Sequence, residues 1–178
     1  MPDQLELSAT ARKFILHWGE MGTRWGINRT VAQIDALLFL SPEPLTAEAI
    51  AETLSVARSN VSSSLKELQS WRLIKMVHVI GDRRDYFESL KDVWEMFRVV
   101  LDGRKRREID PTLAVLRESV QELEKGEKAE AYTKKKLSEM LNFFETASAM
   151  YEEMRRLPTD ALIKFAKLGS KIKKILGY

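Results

Sequence analysis

Two groups of side chains have types and spacings suited to chemistry, and in both the chemistry is recognition of a polyanion rather than bond-making. The first is Arg58, Ser59, Asn60, Ser62, Ser63 and Lys66. If the segment is helical, Val61, Leu65 and Leu68 fall on one face at i, i+4 and i+7, and these six face outward. Small hydroxyls let such a helix sit deep in a DNA groove. Ser and Asn donate or accept at base edges, while Arg58 and Lys66 suit guanine or phosphate. Serines are poor helix formers, so the run VSSS needs a reason other than helix stability. The second group is Arg83 and Arg84 in the turn GDRR. Two cations at a hairpin tip suit a narrow minor groove, where the negative potential is strongest. Asp82 or Asp85 is placed to brace one of them through a forked hydrogen bond. The competing readings are a solvated helix face and a charged turn that keeps an edge hairpin soluble.

The flanking pattern supplies the elements that would position both groups. Thr46 precedes Ile50, Ala51 and Leu54, a short capped helix, although the acid of the capping pattern sits early, at Glu48. Ser55 stands where such turns often have glycine, and Val56 plugs the turn. After the second helix, Ile74 and Met76 alternate with polar residues as in a half-buried strand, and DYFESL returns after the turn. Helix, turn, helix and hairpin is the order of a winged helix-turn-helix, which places its second helix in the DNA major groove. Upstream, Ser8 caps a helix carrying Phe14, Ile15, Trp18 and Met21, and Asn28 caps another with Val31, Ile34, Leu37 and Leu38 on one face. Downstream, helical stripes run from Val93 to Leu101, from Pro111 (with Asp110 as cap) to Leu123, from Leu137 to Met154, and from Leu162 to Leu176. These stripes are broader than one chain readily covers, so the chain is expected to pair with itself. The fold class expected is mainly α: a winged helix-turn-helix with N- and C-terminal dimerisation helices. Its parts are an N-terminal dimerisation helix over 1–26, the DNA-binding domain over 27–92, and a C-terminal helical dimerisation and effector region over 93–178.

Composition narrows the classes. The 178 residues are 44% hydrophobic and 31% charged, with 8 Gly and 5 Pro, which favours a helical globular protein. The net charge of +3 balances 29 bases against 26 acids, so any nucleic-acid affinity must come from how charge is distributed. With no Cys there is no disulfide framework and no thiolate metal site, and His17 and His78 are too few and too far apart to suggest ligation. No nucleophile–base pair, P-loop or dinucleotide fingerprint appears, so neither an enzyme nor a cofactor is expected. The first residues have no secretory pattern, and no apolar run nears the about 18 residues a membrane span needs. The expectation is a cytoplasmic protein. The run Arg104–Arg107 suits phosphates, an acidic neighbour or a solvated helix face, and Lys164, Lys167, Lys171, Lys173 and Lys174 suit a membrane surface, a DNA flank or the wet side of a dimerisation helix. The tryptophans read as core. Alternatively Trp18 and Trp25, with aromatic residues from the C-terminal helices, would line a cage for a quaternary ammonium through cation–π contacts.

The stretches LLFLSPEPLTAEAIAETL, ARSNVSSSLKELQSWRLIK and GDRRDYFESLKDVWEMFR, with FILHWGEMGTRWGINRTVAQIDALL ahead of them, resemble the GbsR-type branch of the MarR-like winged-helix repressors. The match runs nearly unbroken from Leu37 to Arg98, about a third of the chain, and the C-terminal helices match in pattern only. The resemblance implies a homodimeric repressor with two winged heads and a pseudo-palindromic operator in double-stranded DNA. It assigns DNA contact to Arg58 through Lys66 and to Arg83 and Arg84. Some relatives control genes for osmoprotectant uptake or synthesis and sense choline, but no ligand residue carries over. Ala57 departs from the pattern, because related turns often place a capping Ser or Thr there; either the helix start is then weaker or Ser59 takes over the cap. The alternative, from another class, is a winged-helix module that binds protein. It would expose apolar groups where this chain has small polar ones.

Overall fold

Helix α2 (Arg29–Leu40) is the element around which the N-terminal half is built, because Val31 through Leu38 are all buried. The sequence pattern marks a single apolar face; the structure buries this helix on every side, Gln33 and Asp35 included. The computed structural model describes residues 6–125, 130–164 and 168. The chain forms two compact units, Met1–Val100 and Leu101–Tyr178.

In the first unit, α1 (Ala9–Arg24) starts at Ser8, whose Oγ accepts from the Ala11 amide at 3.1 Å. It packs on α2 closely enough that a Cβ on Gly22 would lie 2.5 Å from the Ala32 Cβ. Glycine is therefore required there for contact, since real carbon atoms do not approach so near. Asn28 caps α2 through a 2.8 Å bond to the Thr30 amide. At the other end of α2, the Lys91 ammonium donates to the carbonyls of Leu38 at 2.7 Å, Phe39 at 3.3 Å and Ser41 at 2.5 Å. Those are carbonyls that a helix C-terminus leaves without partners, and a cation there also meets the negative end of the dipole.

Strand β1 (Leu45–Thr46) leads into α3 (Ala47–Leu54), and Thr46 caps it through the Ala49 amide at 3.2 Å. Ser55 ends α3 in the left-handed region, φ 53°, where glycine is usual. Helix α4 (Arg58–Trp71) buries Val61, Ser64, Leu65 and Leu68. Strands β2 (Ile74–His78) and β3 (Asp85–Ser89) pair antiparallel, with Met76 opposite Phe87, and β1 adds to the far edge in the order β1-β3-β2. The fold class is the expected one, mainly helical with a winged helix-turn-helix. The two-residue edge strand is an addition, since Thr46 reads from sequence only as a cap.

Helix α5 (Val93–Arg104) continues through a π-helical turn, Lys105–Ile109, into α6 (Asp110–Lys125). The sequence suggests a fresh start at Pro111 with Asp110 as cap. Instead Asp110 is itself helical, φ −62° and ψ −42°. Proline cannot donate to the preceding turn and its ring crowds the carbonyl four residues back. A widened turn just before it absorbs both problems. In the second unit α6 packs along α7 (Ala131–Arg156), and Arg117 reaches Glu145 at 2.9 Å. Leu113 and Leu116 of α6 are buried, but no residue of the 26-residue α7 is. Met140, within the apolar stripe expected from Leu137 to Met154, is half exposed, and Phe143, Met150 and Tyr132 are more exposed still. Most of the lysine-rich last helix lies outside the described residues. No described helix is long and apolar enough to cross a membrane.

Asp35 is the costly residue in this core. Its carboxylate takes a hydrogen bond from Trp18 of α1, while Oδ1 has no partner among the described residues. Burial, opposed by the Trp18 bond, raises the carboxyl from 3.8 to about 6. The folded state thus holds this proton more tightly than the unfolded chain. The associated stability is complete below 3.8 and is lost as pH rises through about 6. Asp35→Asn keeps an acceptor for the indole and removes the charge. It is expected to stabilise the protein by about 2–3 kcal/mol at neutral pH and by little below about pH 4. Chemical denaturation at both pH values measures this, and a pH-independent difference would contradict the assignment.

Candidate nucleic-acid interface

The outward face of α4 is as the spacing implies: Arg58, Ser59, Asn60, Ser62, Ser63 and Lys66 are all exposed. Ser64, the third serine of the run, turns inward and is 5% exposed. The exposed serines carry little apolar bulk, so between Arg58 and Lys66 this face offers only main chain and short polar groups. Ser63 donates to the Ser59 carbonyl at 3.1 Å, which takes its hydroxyl proton back onto the helix. Ala57 is the N-cap and provides no side-chain bond, and Ser59 does not replace it. Arg58 is not a free cation: its guanidinium pairs with Glu48 of α3.

The hairpin tip treats its two arginines differently. Gly81, φ 88°, makes the turn. The Asp82 carboxylate then accepts from the Arg84 amide at 2.9 Å, from Arg84 Nε at 3.0 Å and from Arg84 Nη2 at 2.7 Å. Tyr86 closes the group, donating to Asp82 at 2.7 Å and accepting from Arg84 Nη2 at 2.9 Å. These bonds, first of all the Arg84 side chain, hold the Asp82 carboxyl far below the usual carboxylate range, and Asp82 in turn raises the Tyr86 phenol. Arg84 is therefore fixed in direction and keeps its charge. Arg83 stays exposed and forms no hydrogen bond or ion pair among the described residues. Of the two braces that the sequence allows, Asp82 serves, while Asp85 lies 3.9 Å from His78.

One cleft joins the two groups. Arg58, Ser62 and Lys66 of α4 line it with Arg83, Arg84 and Met76 of the hairpin. Met76 was expected on the buried side of its strand but is 42% exposed and forms part of this wall.

Trp18 and Trp25 also come together. Their ring centroids are 5.9 Å apart and nearly perpendicular, and Phe14 stacks on Trp18 at 5.5 Å. Trp25 is 51% exposed, so the pair presents an aromatic edge to solvent above the buried Asp35–Trp18 contact. Pattern reading missed a second aromatic site, within the C-terminal unit: a cavity of about 340 Å³ lined by Leu101, Ile109, Phe143, Phe144 and Tyr151. Tyr151 donates to Asp102 behind it, and burial first, then that bond, raises its phenol. The wall contributed by the π-helical turn could not be foreseen from a regular helical period. The basic run is answered locally, with Arg104 on Glu108 at 3.3 Å and Lys105 on Asp110 at 2.8 Å and on Glu152 at 3.4 Å. Among the described residues no cluster of three or more His, Asp or Glu side chains is placed to hold a metal.

Residues 25–85, which span α2 to the start of β3, match the MarR family. Over that stretch, about a third of its length, the chain is similar to MarR-family proteins. It is 23% identical over 154 residues to the HTH-type transcriptional repressor GbsR of Bacillus subtilis (strain 168), covering 83% of this chain and 85% of that protein. A crystal structure described as a transcriptional regulator superposes with a TM-score of 0.64 at 19% identity, covering 89% of this chain and 99% of the other. A MepR–DNA complex from S. aureus has 18% identity and a TM-score of 0.36, over 75% of this chain and 91% of that one.

Proposed function

We propose that this DNA-binding transcriptional regulator is a sequence-specific homodimeric repressor that a small molecule releases from a pseudo-palindromic operator. The observation that carries the reading is the single cleft lined by α4 and the hairpin tip, with small polar side chains on the helix and cations on both walls. A helix bearing short polar groups enters a major groove, and the arginines of the tip reach the flanking minor groove. The repressor named among the relatives supports the sign of regulation. The protein-binding alternative calls for an apolar face at α4, and the six outward residues there are polar or charged.

In this reading, residues 27–92 bind DNA, and 1–26 and 93–178 supply dimerisation helices. Helix α7, with no buried residue and with Met140, Phe143 and Met150 at least half exposed, supports pairing of two chains. Static light scattering at micromolar concentration should return twice the 20.5 kDa chain mass. A monomer mass would remove both the dimer and the palindrome.

Fluorescence anisotropy on a selected operator and on random duplex tests the contacts. Replacing Arg83 and Arg84 with Ala should weaken binding to both and lower the slope of log K against log salt by about 1 per lost contact. Asn60→Ala should cost roughly 1–3 kcal/mol on the operator and little on random DNA. Equal losses on both duplexes would make Asn60 a phosphate contact.

The effector reading rests on Trp18 and Trp25, whose edge-to-face pair beside a buried carboxylate suits a cation through the ring faces. A small quaternary ammonium is the first candidate. A ligand shifts an equilibrium only if its affinity differs between the two states, so it must bind the DNA-free form more tightly. Choline titration should quench tryptophan emission and release operator together. An unchanged signal in both at millimolar choline would leave the indoles as packing.

A further inference from the structure

Glu48 is out of place on a surface meant for phosphates. It lines the cleft beside Arg58, Lys66, Arg83 and Arg84, and a carboxylate there repels a polyanion. The first turn of α3 favours an acid, but Thr46 already caps that end, and an exposed dipole contact is worth only about 0.3–1 kcal/mol. The feature that sets Glu48 apart is its partner. It pairs with Nη2 of Arg58, the first residue of α4, across the turn between the two helices.

We propose that Glu48 is a positioning residue that makes Arg58 read a guanine. The proposal rests on the DNA-binding reading above. The Arg58 side chain is 70% exposed on a long flexible stem. Left unbraced, such an arginine takes whichever phosphate is nearest, and phosphate contacts carry no sequence information. A guanidinium is planar, with five donors in a fixed fork, so holding one corner sets the direction of the rest. The first residues of a recognition helix are those that face base edges. A braced Arg58 at that position offers its remaining donors to guanine O6 and N7, the commonest specific contact in the major groove. The repulsion from Glu48 lowers affinity for every sequence alike, and the bracing restores it only where a guanine is correctly placed. Glu48 thereby exchanges affinity for discrimination.

Selection from a random duplex pool tests this with the wild type, Glu48→Ala, Glu48→Gln and Arg58→Ala. The wild type is expected to select a motif with one G·C pair per half-site that both Ala variants lose, leaving the rest of the motif intact. Discrimination against A·T at that pair should fall from roughly tenfold or more to near unity in Glu48→Ala. Binding of Glu48→Ala to unselected DNA should stay equal or tighten, because a negative charge is gone. Glu48→Gln keeps an oxygen that accepts from Arg58 and should keep the motif. If Glu48→Ala selects the wild-type motif, or loses a different position from Arg58→Ala, or if Glu48→Gln loses the pair as well, the positioning role is overturned while DNA binding stands. A wild type that binds no duplex overturns the functional reading and this proposal with it.

Discussion

The burial of α2 is the constraint to which the N-terminal unit answers. Eight consecutive buried residues, Val31–Leu38, require a neighbour on every side, and α1, α3, α4 and β3 supply them. A helix enclosed in this way cannot leave its ends to solvent without cost. Asn28 takes one end, and Lys91 takes three carbonyls at the other. Lys91 sits just past β3, so the same ammonium ties the exit of the wing hairpin to the end of the central helix. Its desolvation, which lowers its pKa, is the cost of that tie. The position of α4 follows, because Val61, Leu65 and Leu68 join the same core. The outward face is then whatever α4 has left over.

Much of this was legible in the residues. Caps at Ser8, Asn28 and Thr46 were readable because a capping side chain acts within three residues of its own position. The outward face of α4 was readable because its period is regular. Where pattern failed, the deciding contact was distant or the backbone irregular. Nothing local says that Gln33 and Asp35 are enclosed, since that depends on α1 packing at glycine distance. Met76 follows the strand alternation yet lies on the open wall of the cleft. The Pro111 reading failed because a π-helical turn, which sequence periodicity does not reveal, keeps the helix running. The roles of Arg83 and Arg84 were indistinguishable until Asp82 and Tyr86 were seen to hold only one of them.

Charge is spent differently in the two units. In the C-terminal unit Arg104 and Lys105 are matched to nearby acids, and so is Arg155, to Asp102 and Glu152. Such exposed pairs contribute about 0–1 kcal/mol each, so they tidy the surface more than they hold it together. Around the cleft, Lys66 and Arg83 have no acidic partner among the described residues, while Arg58 pairs with Glu48 and Arg84 with Asp82. A net charge of +3 conceals that arrangement because the sum does not record where each sign is placed.

The closed group of Asp82, Arg84 and Tyr86 also has a bearing on rates. An unrestrained arginine must find one rotamer among many after its partner arrives, and encounters that end before it does so come to nothing. Arg84 has finished that search before any encounter, through bonds made wholly within the hairpin. The ordering cost, about 0.5–1.5 kcal/mol for a long side chain, then falls on folding and not on association. In the proposed DNA-binding role, a larger share of collisions would proceed directly to the docked state, and the protein would scan many wrong sites quickly and still settle at the right one.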